Sequence, residues 1–85
     1  MTLYVTNLPA RATPADLAIL FARYGRVAGA GIRVHPGNDS RRRVGVVEVH
    51  ADGGAEPIRL DGVECRGLRL AVTLTRPNWV PPPAG

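Results

Sequence analysis

The chain is poor in aromatic residues and cysteine, and it contains no lysine. Phenylalanine, tyrosine and tryptophan make up 5% of its 85 residues, and cysteine occurs once, at Cys65. A single cysteine cannot form an internal disulfide or supply the paired thiolates of a common type of metal site. We therefore expect neither a metal nor another cofactor.

Long hydrophobic runs are also missing. No segment approaches the roughly 20 apolar residues that a membrane-spanning helix needs. The first residues lack the basic segment and apolar core of a secretory signal, which predicts an intracellular, cytoplasmic protein. With 85 residues and a hydrophobic share of 45%, the chain has the size and composition of one small globular domain.

Arginine accounts for all eleven basic residues, and the formal net charge is +4. Residues 1–45 carry seven arginines against two acidic residues, whereas residues 46–85 carry four against five. A GC-rich genome would explain the lack of lysine but not this clustering. Because a guanidinium can donate two parallel hydrogen bonds to phosphate and stack on a base, the basic half favours nucleic-acid binding.

The first third of the chain predicts a strand followed by a helix. Apolar and polar side chains alternate over residues 3–7, which is the period of a strand with one buried face. A helix is predicted over residues 13–24, with Thr13 as its N-cap and Pro14 at the first helical position. An apolar stripe on this helix would pack on a sheet. The stripe consists of Leu17, Leu20, Phe21 and Tyr24.

Two further strands are predicted over residues 27–35 and 43–50, joined by a turn at 36–40. Gly29 and Gly31 weaken the first of these strands and indicate a bulge or a close backbone approach.

The remaining residues predict a second helix over 52–60 and a fourth strand over 70–75. Two glycines and a proline make this helix short or distorted. The order βαββαβ predicts an α+β, ferredoxin-like sandwich: a four-stranded antiparallel sheet with two helices on one face. We place the domain at residues 1–77 and a proline-rich, flexible tail at 78–85.

Two strand motifs stand out, residues 3–8 (LYVTNL) and 42–49 (RRVGVVEV). They are similar to the paired strand motifs of the RNA recognition motif family, and three further segments resemble that family in the same chain order. Residues 17–27 resemble its first helix and the entry to its second strand, and residues 60–62 and 67–77 resemble the approach to and end of its fourth strand. The resemblance implies two adjacent central strands whose open face binds unstacked bases.

On that face the resemblance makes Tyr4 the base-stacking ring, although an aromatic ring can also simply cover the sheet backbone. Thr6 would line the same surface. Asn7 matches a position that can hydrogen-bond a base, but asparagine after a strand is also common in turns.

The second motif lacks aromatic rings. Arg42 matches a basic position that contacts the nucleic-acid backbone, whereas Val44 and Val46 occupy ring positions and cannot stack as planar rings do. Glu48 shares their face and would repel phosphate, although it could also accept a hydrogen bond from a base amino group. Arg33, Arg76 and His35 would frame the surface, and His35 could instead be an ordinary histidine at the end of a strand.

Trp79 follows the last predicted strand and has three possible roles. It could close the valine-rich face in the free protein, stack on a base in place of the missing rings, or remain free for a partner.

The resemblance implies modest, salt-dependent binding of single-stranded RNA with limited sequence discrimination, and single-stranded DNA is a second candidate ligand. The competing hypothesis is a protein-interaction or dimerisation module that uses the valine-rich face. We do not expect an enzyme, because the sequence has no phosphate-cradling loop and neither histidine has a nearby nucleophile.

Overall fold

The protein is described by a computed structural model over residues 1–23, 25–35, 37, 43–50, 61–62, 64–65 and 67–82. Its elements in chain order are strand β1 (Thr2–Thr6), helix α1 (Pro14–Ala22), and strands β2 (Val27–Val34), β3 (Arg43–Val49), β4 (Glu64–Cys65), β5 (Leu68–Arg69) and β6 (Ala71–Thr73).

The main sheet of the described chain has four strands in the order β2-β3-β1-β6, and every neighbouring pair is antiparallel. Helix α1 packs against one face of this sheet. The predicted α+β class and the central position of β1 and β3 are therefore confirmed. The second helix predicted over residues 52–60 lies outside the described residues.

Helix α1 begins with the predicted cap. The Thr13 side chain accepts a hydrogen bond from the Asp16 backbone N–H at 3.2 Å, and the Asp16 carboxylate accepts one from the Thr13 backbone N–H at 3.0 Å. This reciprocal pair satisfies two donors that a helix start otherwise leaves unpaired. Pro14 at the first position loses no helical hydrogen bond.

The main core lies between α1 and the sheet. Leu17 and Phe21 on the helix are both buried, as the stripe predicted. They face the inward residues of three strands. The buried strand and strand-flanking side chains of this core are Leu3, Val5, Val47, Val49, Leu70 and Val72.

Both edge strands depart from regular pairing. The β2–β3 register shifts between Val27 and Gly29, which confirms the irregularity predicted for the glycine-containing strand. Strand β6 covers only Ala71–Thr73 of the predicted residues 70–75. The backbone N–H of Val72 donates to the Asp61 carboxylate at 2.9 Å, so a side chain accepts this hydrogen bond.

Helix α1 and the sheet approach each other closely at Gly45 in β3. A Cβ atom at this position would lie 2.6 Å from Cδ1 of Leu17 and 3.4 Å from Cβ of Val5. Since Leu17 is itself fully buried, it has little room to retreat. The absence of a side chain at position 45 thus lets α1 sit directly on the sheet.

The start of the chain is attached to the end of β3. Met1 and Val49 exchange backbone hydrogen bonds of 2.9 Å in both directions. The terminal ammonium also lies 3.0 Å from Oε1 of Glu48, and the Thr2 hydroxyl donates to Oε2. The Thr2 hydrogen bond, followed by that of the ammonium, lowers the pKa of Glu48.

The Gly45→Ala substitution should lower the free energy of unfolding by about 1–3 kcal/mol, because the new methyl group overpacks the contact with Leu17. Urea denaturation measures this change. Gly31→Ala is the matched control, since it lies in β2 and a Cβ there meets nothing within 4 Å. Equal stability of the two variants would contradict the close-packing argument.

The free energy of unfolding should fall as the pH drops below about 4.5, the ordinary pKa of glutamate. It should continue to fall until the pH has passed the lowered pKa of Glu48 in the folded state. The lowered pKa means that the unfolded chain binds this proton more readily, so acid favours unfolding. Urea midpoints at pH 7 and pH 3 should differ less in Glu48→Gln than in the parent. Glu64→Gln, at an exposed carboxylate, should keep the parent's pH dependence.

Candidate nucleic-acid interface

The sheet face opposite α1 has Tyr4 near its centre. In the strand pairing, Tyr4 is opposite Val46 of β3 and Thr73 of β6, and Val46 is opposite Gly31 of β2. These four residues form one row across the sheet. Tyr4 and Val46 therefore lie side by side, as the two strand motifs predicted.

Tyr4 is nevertheless covered. The residue is 3% exposed, and it forms a second buried cluster with Val44 and with Val80 from beyond β6. Val46 and Trp79 are partly buried against this cluster. The face that would hold unstacked bases is thus occupied by the chain's own C-terminal residues.

Residues 77–80 form a turn over this face, and we refer to them as the C-terminal turn. The backbone N–H of Val80 donates to the Pro77 carbonyl at 3.0 Å. The guanidinium of Arg76 donates to the carbonyl of Val80. These two contacts set the turn so that the Val80 side chain points into the cluster with Tyr4 and Val44.

Trp79 reaches the end of strand β2. Its ring contacts the ring of His35 edge to face, with centroids 5.1 Å apart and planes at 62°. Such an arrangement is a favourable aromatic geometry. Of the three roles considered for Trp79, the structure shows the ring packed within the chain.

The predicted arginines differ in their surroundings. Arg33 is exposed and pairs with Val44 across β2 and β3, so it lies on the same face as Tyr4. Arg76 is exposed but donates to Val80. Arg42 lies outside the described residues. Its neighbour Arg43 is half-buried and donates to the Pro9 carbonyl, which ties β3 to the loop after β1.

Thr6 and Asn7 complete the predicted set of binding residues. Thr6 is half-buried and pairs with Ala71 of β6. Asn7 has a φ of 63°, and its side-chain nitrogen donates to the Arg69 carbonyl at 2.7 Å. Asparagine tolerates this left-handed conformation better than most residues, so Asn7 has a definite role in the turn that ends β1.

Glu48 places an acidic group on this face, and its charge is partly neutralised. The Met1 ammonium and the Thr2 hydroxyl both contact the carboxylate. Its repulsion of phosphate is consequently weaker than the sequence alone indicated.

Val80 is the member of this surface that the sequence reasoning missed. It is 2% exposed, although it stands next to a run of prolines that indicates an extended tail. The sequence did contain a signal for this burial, because a tryptophan and a valine stand next to each other shortly after the last apolar strand. Apolar side chains at that point can cover apolar residues of the sheet.

The described part of the chain shows no group of three or more histidine, cysteine, aspartate or glutamate side chains arranged to hold a metal ion. Within the same residues, no helix is long and apolar enough to span a membrane.

Comparison with known proteins identifies relatives of the chain. A Nostoc sp. protein, RbpD, which is named as a candidate RNA-binding protein, is 38% identical over 80 residues that cover 92% of this chain and 85% of RbpD. RbpA of Synechocystis sp., which is also named as a candidate RNA-binding protein, is 35% identical over 80 residues that cover 92% of this chain and 79% of RbpA.

A crystal structure of RNA-binding protein PG1 has the same fold, with a TM-score of 0.68 and 30% sequence identity over 92% of this chain and 99% of that protein. The sequence profile of the RNA recognition motif matches residues 3–67. With this match over most of the sequence and a sheet of the corresponding topology, the chain belongs to the RNA recognition motif family.

Proposed function

We propose that this protein binds single-stranded RNA on the sheet face that carries Tyr4. The main support is the position of the Tyr4 ring in the central row of that face, between Val46 and Thr73, in a chain that belongs to the RNA recognition motif family. Its relatives RbpD and RbpA are named as candidate RNA-binding proteins. The proposal is a binding module without catalytic activity or cofactor, in an intracellular, cytoplasmic setting.

In this proposal Tyr4 stacks on one base. A base stacked on an aromatic side chain contributes about 1–3 kcal/mol. Val44 and Val46 border the ring and offer apolar contact without stacking. With a single ring where the family's motif provides more, we expect modest affinity and limited sequence discrimination.

Arginines supply the electrostatic part of the proposed binding. Arg33 is exposed on the Tyr4 face, and Arg42 and Arg76 complete the proposed set of phosphate contacts. Thr6 lines the surface. Because the side-chain nitrogen of Asn7 is engaged by the Arg69 carbonyl, we propose that Asn7 contacts a base through its side-chain oxygen.

Two alternatives remain as hypotheses. Single-stranded DNA offers the same bases and phosphates, so stacking and arginine contacts would accept it as well. Protein binding or self-association through the valine-rich face is less favoured, because the chain belongs to the RNA recognition motif family and its relatives RbpD and RbpA are named as candidate RNA-binding proteins.

The Tyr4→Leu substitution should weaken the binding of a labelled short RNA roughly 5- to 150-fold, because it removes the planar ring and keeps an apolar side chain in the cluster. Fluorescence anisotropy at low salt measures the affinity, and circular dichroism checks that the variant is folded. Tyr4→Phe is the matched control and should bind nearly as the parent does. Equal RNA affinity of the leucine and phenylalanine variants would contradict the stacking role of Tyr4.

The Arg33→Gln substitution should reduce the slope of log affinity against log salt concentration by about 0.7, the value for one lost phosphate contact on a single strand. Arg42→Gln should act in the same way. Arg23→Gln removes the same charge from an exposed position directly after α1, and it should leave the slope nearly unchanged. Slopes that fall equally in all three variants would indicate only a general effect of net charge.

A further inference from the structure

The C-terminal turn and the proposed RNA occupy the same surface. Val80 is 2% exposed, and the Tyr4 ring beneath it is 3% exposed. A base cannot stack on a ring that has almost no free face. Binding at Tyr4 therefore requires the C-terminal turn to leave.

Few side-chain contacts hold the C-terminal turn over the Tyr4 face, which is its closed position. One buried side chain, Val80, anchors it in the cluster, and Trp79 adds a partly buried ring against His35. The main core between α1 and the sheet contains neither Val80 nor Trp79. Release of the turn is consequently a local opening that leaves the main core intact.

Whether the guanidinium of Arg76 is free to contact phosphate depends on the position of the C-terminal turn. In the closed state its guanidinium donates to the Val80 carbonyl, which holds the turn in place. When Val80 moves away, that hydrogen bond breaks and the guanidinium can reach a phosphate. A single movement thereby uncovers the proposed stacking ring and frees one proposed phosphate contact.

We propose that the C-terminal turn is an autoinhibitory lid that competes with single-stranded RNA for the Tyr4 face. This inference rests on the proposed RNA-binding function. The apparent affinity for RNA equals the intrinsic affinity of the open state multiplied by the open fraction. Any change that loosens the lid without touching the sheet then tightens RNA binding in proportion.

Val80→Ala in the full chain tests the lid directly. Loss of two buried carbons from the anchor should raise the open fraction, and with it the affinity for a labelled short single-stranded RNA, by about tenfold. Trp79, the sole tryptophan of the chain, should become more accessible to acrylamide quenching in the free protein. Val34→Ala is the matched control, because it removes the same atoms from a side chain that is 53% exposed.

Pro77→Ala is a second variant that spares the buried cluster, so it remains informative should Val80→Ala fail to fold. The Pro77 carbonyl accepts the hydrogen bond that closes the turn, and the proline ring restricts the backbone there. Greater backbone freedom in the open state should raise the open fraction by about 2- to 5-fold. RNA affinity should rise by the same factor.

The outcomes separate the lid from the RNA site. Increased Trp79 quenching with unchanged or weaker RNA binding would overturn the lid, since the turn would then not compete with RNA. If quenching and RNA affinity are unchanged in both lid variants, the lid is also overturned. The proposed function would still stand in that case, provided that the parent binds RNA and that Tyr4→Leu weakens this binding. Absence of RNA binding at low salt by the parent and both lid variants would overturn the proposed function and the lid with it.

Discussion

The antiparallel pairing of β1 with β3 determines which side chains of these two central strands lie on the candidate interface. Side chains alternate along a strand, so a register that puts Leu3 and Val5 beneath α1 puts Tyr4 on the other face. The same register places Val46 beside Tyr4 and Gly45 beside Val5. A slip of one residue would turn the ring into the main core and expose the core residues to water.

That pairing also places an apolar patch with only one aromatic ring, formed by Tyr4, Val44 and Val46, on this face. An aromatic side chain on such a face contributes base-stacking energy when a single strand binds. Valines lack that use and favour burial against other apolar groups. The C-terminal turn provides such groups, and Val80 completes a small second core on the side of the sheet opposite α1.

Sequence patterns that act over a few residues predicted the fold well. Alternation in residues 3–7, the cap at Thr13 and the helical stripe with Phe21 depend on local geometry, and each is found in the structure. The exposure of the candidate site was harder to predict. Whether Tyr4 is open or covered depends on Val80, which is far away in the sequence, and a proline-rich composition gives no sign of that contact.

The contacts of individual site residues were also hard to predict from the sequence. Asn7 could be read as a base contact or as a turn residue, and only the position of the Arg69 carbonyl reveals the hydrogen bond it makes. Arg76 is one of the arginines in the sequence, but its contact with the Val80 carbonyl depends on how the chain turns after β6. Roles of this kind follow from tertiary contacts and have no local pattern.

The distance along the chain between β6 and the C-terminal turn has a kinetic consequence. Strand β6 ends at Thr73 and the turn begins at Pro77, so only residues 74–76 separate them. A tether this short keeps Val80 close to Tyr4 at an effective concentration of the order of millimolar or higher, whatever the amount of protein in solution. In the proposed lid mechanism, a departing RNA would meet a competitor that belongs to the same chain, and rebinding of the same strand would be suppressed without any second molecule.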